Sequence, residues 1–136
     1  MKKTVLTIIC VFILLGSVPL TALAFNEKSS TFNNNVTHTN TAFNINAQGV
    51  ATVTTDYTGY KSVTTGATIK TKIQKRFLLV FWNDVATWTD TATGYYYSNT
   101  HSTTVEKGYY RAQVEYTIYG TGGSPDVITD ELERSY

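Results

Sequence analysis

Two histidines, His38 and His101, are the only imidazoles in the chain. Neither stands in a His-x-x-x-His or Glu-x-x-His setting, so a metal or general-base role would need partners that only the fold assembles. A solvent-exposed or hydrogen-bonded structural histidine fits both positions better. Asp84 with Asp90, and Asp56 with Glu115, offer paired carboxylates of the kind that act as acid and base on sugars. Pairs of this sort arise by accident, and no catalytic signature accompanies them. Asp126, Asp130 and Glu131 gather beside a glycine-rich stretch and carry calcium-type oxygens. Their spacing matches no calcium loop, and a solvated acidic tail is the simpler reading. There is no Gly-x-Ser-x-Gly elbow and no phosphate-binding glycine loop. These residues predict no enzyme, no cofactor and no metal.

Surface recognition is the chemistry left. Ten tyrosines and two tryptophans exceed what one small core hides, because a phenol wants its hydroxyl wetted or paired. Tyr95 and Tyr97 are the sharpest candidates for a binding site. Two apart on a strand, they would share a face about 6.6 Å from each other, near the spacing of rings along an extended sugar chain, with Tyr96 turned inward. The alternative puts all three in a loop packed on Trp88. Lys70, Lys72 and Arg76 form a basic ladder suited to an anionic wall polymer, or a solubilising face that blunts a sheet edge.

The N-terminus speaks about destination. Lys2 and Lys3 precede an apolar run from Val5 to Leu15, Pro19 breaks it, and Ala22-Leu23-Ala24 supplies the small residues a signal peptidase inspects. The run is shorter than the roughly 18 residues a membrane span wants, so residues 1–24 read as a signal peptide cleaved before Phe25, leaving no membrane anchor. Cys10, the one cysteine, leaves with it. A disulfide, a cysteine-ligated metal and a thiol nucleophile are thereby excluded from the secreted chain. Removing 24 of 136 residues leaves 112, one core's worth. Without Lys2 and Lys3 the charge is 9 basic against 10 acidic, which argues against a nucleic-acid partner.

Residues 25–35 are polar and read as a flexible lead-in, and residues 36–136 as a single β domain. Asn35-Val36-Thr37 fits the glycosylation pattern, a three-residue match common by chance. From Asn40 onward the chain alternates with a period of two. Phe43 and Ile45, then Ala51, Val53, Thr55 and Tyr57, flank a turn at Ala47-Gln48-Gly49, which reads as a hairpin. Ala67, Ile69, Thr71 and Ile73 oppose Lys70, Lys72, Gln74 and Arg76. Gly108 to Gly120 is the clearest strand: Tyr110, Ala112, Val114, Tyr116 and Ile118 face one way, and Tyr109, Arg111, Gln113, Glu115, Thr117 and Tyr119 the other. Trp82, Asp84, Ala86 and Trp88 share one side of the next strand and Asn83, Val85 and Thr87 the other, both faces mixed. Phe77 to Phe81, apolar on every side, reads as a buried strand, a turn with exposed hydrophobics, or a bulged continuation. Val127 to Tyr136 closes the chain as an edge strand. Six to eight short strands with turn signals every ten residues or so predict an all-β fold, an immunoglobulin-like antiparallel β-sandwich without its disulfide.

Gly49-Val50-Ala51, the basic strand ending in Ile73-Gln74-Lys75, Trp82-x-x-Val85-x-x-Trp88 and Gly108-Tyr109-Tyr110-Arg111, following a signal peptide, resemble a family of small secreted β-sandwich proteins of unknown function from Gram-positive bacteria. The resemblance covers roughly residues 43–119. It departs where the family has a Gly/Ser-rich turn and this chain has Phe77 to Phe81. It implies fold and location but no activity. The leading expectation is a secreted, non-catalytic binding module for a cell-surface glycan or protein. A small antagonistic, bacteriocin-like protein comes second and a hydrolase third. Oligomeric state stays open.

Overall fold

The computed structural model describes residues 33–136. The signal peptide, Cys10 and most of the expected flexible segment 25–35 lie outside the described residues. Seven strands follow in order: β1 Val36–Ile45, β2 Val50–Gly59, β3 Thr64–Phe77, β4 Phe81–Thr93, β5 Tyr96–Thr104, β6 Tyr109–Gly120 and β7 Asp126–Ser135. All neighbours pair antiparallel, in a three-stranded sheet ordered β1-β2-β5 and a four-stranded sheet ordered β4-β3-β6-β7. This is an immunoglobulin-like sandwich in which the fourth strand lies beside β3 rather than on the opposite sheet, its place in constant-type domains.

The core follows from the alternation. Ala112, Val114, Tyr116 and Ile118 of β6 sit opposite Ile73, Thr71, Ile69 and Ala67 of β3, all buried. Phe43, Ala51, Val53 and Tyr57 meet them from the other sheet. Fully burying one such large apolar side chain contributes about 1.5–3 kcal/mol, so a core of this size holds without a disulfide. Three tyrosines take core positions because each finds a partner for its hydroxyl. Tyr57 donates to the Gly94 carbonyl at 2.8 Å, Tyr116 to the Asn40 carbonyl at 2.8 Å, and Tyr110 to the Glu106 carbonyl at 2.7 Å. The last, at the start of β6 and reaching four residues back, is the corner tyrosine of immunoglobulin-like domains.

The β1–β2 turn forms where Gly49 allows it, at φ 76°, with the Asn46 carboxamide accepting from the backbone N–H of Gln48 and Val50. Asn34 and Asn35 are not part of a free lead-in. The Asp126 carboxylate accepts from the backbone N–H of Asn34 at 3.1 Å, Asn35 at 2.7 Å and Val36 at 3.1 Å. The Asn35 side chain is buried, donating to the Ser124 carbonyl and accepting from Gly122 N–H. Its sequon therefore serves as a structural clasp between β1 and the β6–β7 turn.

Two stretches differ from a regular alternation. In β4 the register steps from Ala86 opposite Ile73 to Asp84 opposite Gln74, leaving Val85 as the extra residue of a bulge. Trp82 and Asp84 therefore lie on the outer face with Arg76 and Gln74, while Ala86, Trp88 and Asp90 face inward. The four residues expected on one side are split two and two. Phe77–Phe81 is neither a buried strand nor a bulge. Phe77 pairs with Phe81, and Leu78, Leu79 and Val80 form the exposed hairpin loop between them.

Candidate functional site

The outer face of the four-stranded sheet gathers the most ligand-ready chemistry. Outward positions of three neighbouring strands bring Arg76 of β3, Trp82 of β4, and Tyr109 and Arg111 of β6 together near the β3–β4 hairpin. The Arg76 guanidinium lies 3.9 Å from the centre of the Tyr109 ring, and that of Arg111 lies 4.4 Å from the centre of Trp82. The two rings are 6.2 Å apart and tilted by 41°. A guanidinium over a ring face is attracted by the ring's electrons and keeps its edge N–H donors for other partners.

Polar groups brace this arrangement. Arg111 donates through Nε to the Gln74 carboxamide at 2.7 Å and through Nη1 to Glu131 at 3.0 Å. Gln74 in turn donates to Asp84, which also receives Lys72 Nζ at 3.1 Å. These hydrogen bonds, Gln74's first and then that of Lys72, hold the Asp84 carboxyl below its ordinary value. Tyr109 donates to Glu133 at 2.5 Å, and that bond raises its phenol above the usual range. Lys70 pairs with Glu115 at 3.4 Å. Among the described residues Arg76 forms no ion pair. Its guanidinium thus rests over an aromatic ring with no carboxylate to satisfy it.

A second polar group lies between the sheets where their edges β4 and β5 approach each other. Trp88 and His101 stack at 4.8 Å with their planes 6° apart, and His101 Nε2 lies 2.7 Å from Asp90. Asn99 adds a donor to Asp90 at 3.3 Å. The His101 and Asp90 side chains keep only 19 % and 15 % of their surface. Their partners are each other, Asn99 and an indole face, so they close the open side of the sandwich as a polar seal.

Lys70, Lys72 and Arg76 do share the outer face that the sequence assigns them. Tyr95 and Tyr97 do not share an exposed face. Tyr97 points between the sheets and stacks on Tyr57 at 6.4 Å, whereas Tyr96 points outward and is 60 % exposed. The phase is the reverse of that expected, because Tyr97 pairs with inward-facing Tyr57. Tyr95 precedes β5 in the turn, where Lys61 Nζ approaches its ring at 5.7 Å. Asp84 and Asp90, on opposite faces of one sheet, cannot flank one substrate. Asp56 pairs with Asn40 on the outer face of the three-stranded sheet, while Glu115 lies on the outer face of the other. Asp126, Asp130 and Glu131 serve separately: Asp126 clasps the N-terminal backbone, Asp130 accepts from Thr41 at 2.9 Å, and Glu131 binds Arg111. Among the described residues no group of three His, Cys, Asp or Glu side chains is placed to hold a metal ion.

Tyr109 and Arg111 were visible on the outer side of the β6 alternation, and only their meeting with Trp82 was not, since the Val85 bulge hides it. Compared with protein-family models, curated proteins and solved structures, the chain finds no match.

Proposed function

We propose that this chain is a secreted, non-catalytic binding module that takes an anionic cell-surface polymer across the outer face of its four-stranded sheet. The observation that carries the reading is Arg76, seated over the Tyr109 ring at 3.9 Å with no carboxylate partner among the described residues. A preorganised guanidinium presents a rigid fork to phosphate or carboxylate, and the neighbouring Trp82 and Tyr109 rings offer surface for the sugar or polyol between charges. Lys70 and Lys72 lie along the same strand, each paired with a carboxylate, Glu115 and Asp84, so the unpaired charge on the ladder is that of Arg76. The separation of Asp84 from Asp90 across the sheet favours binding over hydrolysis.

The test is a pull-down of the purified protein on Gram-positive cell walls, beside a glycerol-phosphate polymer and an uncharged glycan. Arg76→Gln is expected to cut retention on the anionic polymer by about 10-fold, the size of a lost charge-assisted hydrogen bond. Wild-type protein that passes through every matrix sinks the reading. Secretion belongs to the same proposal and rests on the tripartite N-terminus. Sequencing the protein from culture supernatant should return Phe25 first, and Met1 retained in a membrane fraction would contradict it. The secreted Gram-positive family remains part of this proposal, supported by the motifs quoted for it. The second reading, an antagonistic protein, is favoured by the exposed apolar loop of the β3–β4 hairpin. Growth inhibition by the purified protein would distinguish it.

A further inference from the structure

The β3–β4 hairpin ends in five consecutive apolar residues, Phe77, Leu78, Leu79, Val80 and Phe81, between 53 % and 80 % exposed. Exposed Leu, Val and Phe scattered singly need no explanation, but a contiguous apolar knob marks a contact with something apolar. The backbone sharpens the point. Leu78 and Leu79 hold φ of 47° and 68°, the left-handed region that L-residues enter at a cost and that Asn or Gly enters easily. Two adjacent positions that suit Asn-Gly carry leucine instead, against both backbone preference and solubility.

The surroundings indicate what the knob meets. One rung behind it, Arg76 pairs with Trp82, and Tyr109 stacks on Arg76. Tryptophan and tyrosine are the side chains that settle at the level of lipid headgroups. Lys75, Arg76, Lys107 and Arg134 lie at this pole against Glu106, which pairs with Lys75, and Glu133, which accepts from Tyr109. The balance is positive and suits anionic headgroups. From the Arg76–Trp82 rung to the loop apex is roughly 7–10 Å at the strand rise. A headgroup layer is about 5–7 Å deep on each side of the hydrocarbon, so the loop reaches through it while the aromatic rung stays within it. A second protein copy fits less well. A convex five-residue knob exposes less than the roughly 800 Å² per partner that a stable dimer buries and is not covered on all its sides at once by a second copy.

We propose that the Phe77–Phe81 loop is a membrane-insertion element that seats the domain on an anionic lipid bilayer. The proposal goes beyond polymer binding: it adds the Phe77–Phe81 loop and shares Arg76, Trp82 and Tyr109 with the polymer-binding face. Apolar side chains enter the hydrocarbon, Trp82 and Tyr109 rest at the interface, and Lys75, Arg76 and Lys107 face the headgroups.

The test is flotation of residues 25–136, which contain the whole sandwich and both ends of the Asp126 clasp, with phosphatidylglycerol/phosphatidylcholine vesicles and with phosphatidylcholine alone. The wild type is expected to float with the anionic vesicles at least 10-fold more than with the neutral ones, and tryptophan emission should shift to the blue as Trp82 leaves water. The double variant Leu78→Asn/Leu79→Gly supplies residues the loop backbone prefers, so its urea midpoint should equal or exceed the wild type's. Its vesicle binding should fall at least 10-fold. Wild type that stays in the aqueous fraction, or a folded variant that floats as well as wild type, overturns the proposal. So does wild-type dimerisation that the variant abolishes without any vesicle binding, because the occupant is then a second copy. The vesicles carry no polymer and the polymer matrices no lipid, so either reading can fail while the other stands.

Discussion

The Tyr116 phenol sits where β6 faces β1. It donates to the Asn40 carbonyl and lies 2.7 Å from Thr41 Oγ1, which itself donates to Asp130 of β7. Burial, more than any neighbouring charge, raises its pKa from 10.0 to about 12. In that interval the folded chain keeps a proton that the unfolded chain releases. This stability is therefore complete below pH 10 and is lost as pH rises toward 12, on the order of 2 kcal/mol. Tyr57 and Tyr97, both raised chiefly by burial, act in the same direction. Urea midpoints measured from pH 8 to 11.5 should fall along that limb, and Tyr116→Phe should start lower at pH 8 yet fall less steeply. Thr55 and Thr71 give a second test, since their buried hydroxyls have no hydrogen-bond partner among the described residues. Thr71→Val keeps the shape and removes the unpaired group, and should raise stability by about 1 kcal/mol in urea unfolding, where an unpaired buried hydroxyl costs roughly 1–3 kcal/mol. Unfolding at a lower urea concentration than wild type would show that the hydroxyl is satisfied. At this scale the sequence was readable where a residue type has one use and unreadable where it has several. Core Ile and Val declared themselves. Three successive tyrosines carry no mark of their phase and take the reverse of the one expected, and nothing local marks Asp126 as the acceptor for backbone some 90 residues earlier.

Individual strands were legible because one buried face and one wet face impose a period of two, and β6 shows it without interruption from Tyr109 to Ile118. β4 was misphased because Val85 carries no glycine or other mark of a bulge, while an edge strand tolerates an inserted residue. The bulge leads to a counterintuitive expectation. Deleting Val85 leaves Asp84 opposite Gln74 and Ala86 opposite Ile73, so every other side chain keeps its face. That deletion should cost no more than about 1–2 kcal/mol. Deleting Thr89 instead forces one flank of β4 to exchange faces, putting Trp88 or Asp90 on the wrong side. Loss of cooperative unfolding in the Thr89 deletion, with near-native circular dichroism and melting in the Val85 deletion, is the expected pair. Equal damage from both would mean that Val85 is not the extra residue. The β3–β4 loop was hard to read for a different reason: five apolar residues satisfy a buried strand as well as a turn, and only the pairing of Phe77 with Phe81 decides.

At the scale of the whole molecule, the sandwich was legible from strand number and spacing, but the sheet to which β4 belongs was not, since both faces of its sequence are mixed. Closure of the first strand onto the last turn was also hidden. It predicts that a chain beginning at Phe25 and one beginning at Thr37 differ sharply, because the second lacks all three backbone donors of Asp126 and leaves a buried carboxylate bare. The shorter chain should lose at least about 3 kcal/mol in urea unfolding. A loss within about 0.5 kcal/mol would show that the clasp contributes little. The same clasp fixes polarity. Asn35 enters beside the β6–β7 turn, whereas the Phe77–Phe81 loop leaves from the other pole, the two separated by the length of the strands. A pull exerted between that entry point and a held loop would run parallel to the strands and across their hydrogen bonds, which lie perpendicular to it. The ladder bonds of each sheet would then bear the force together in shear instead of opening one after another, so the domain is built to resist tension along this axis far better than peeling at its edges.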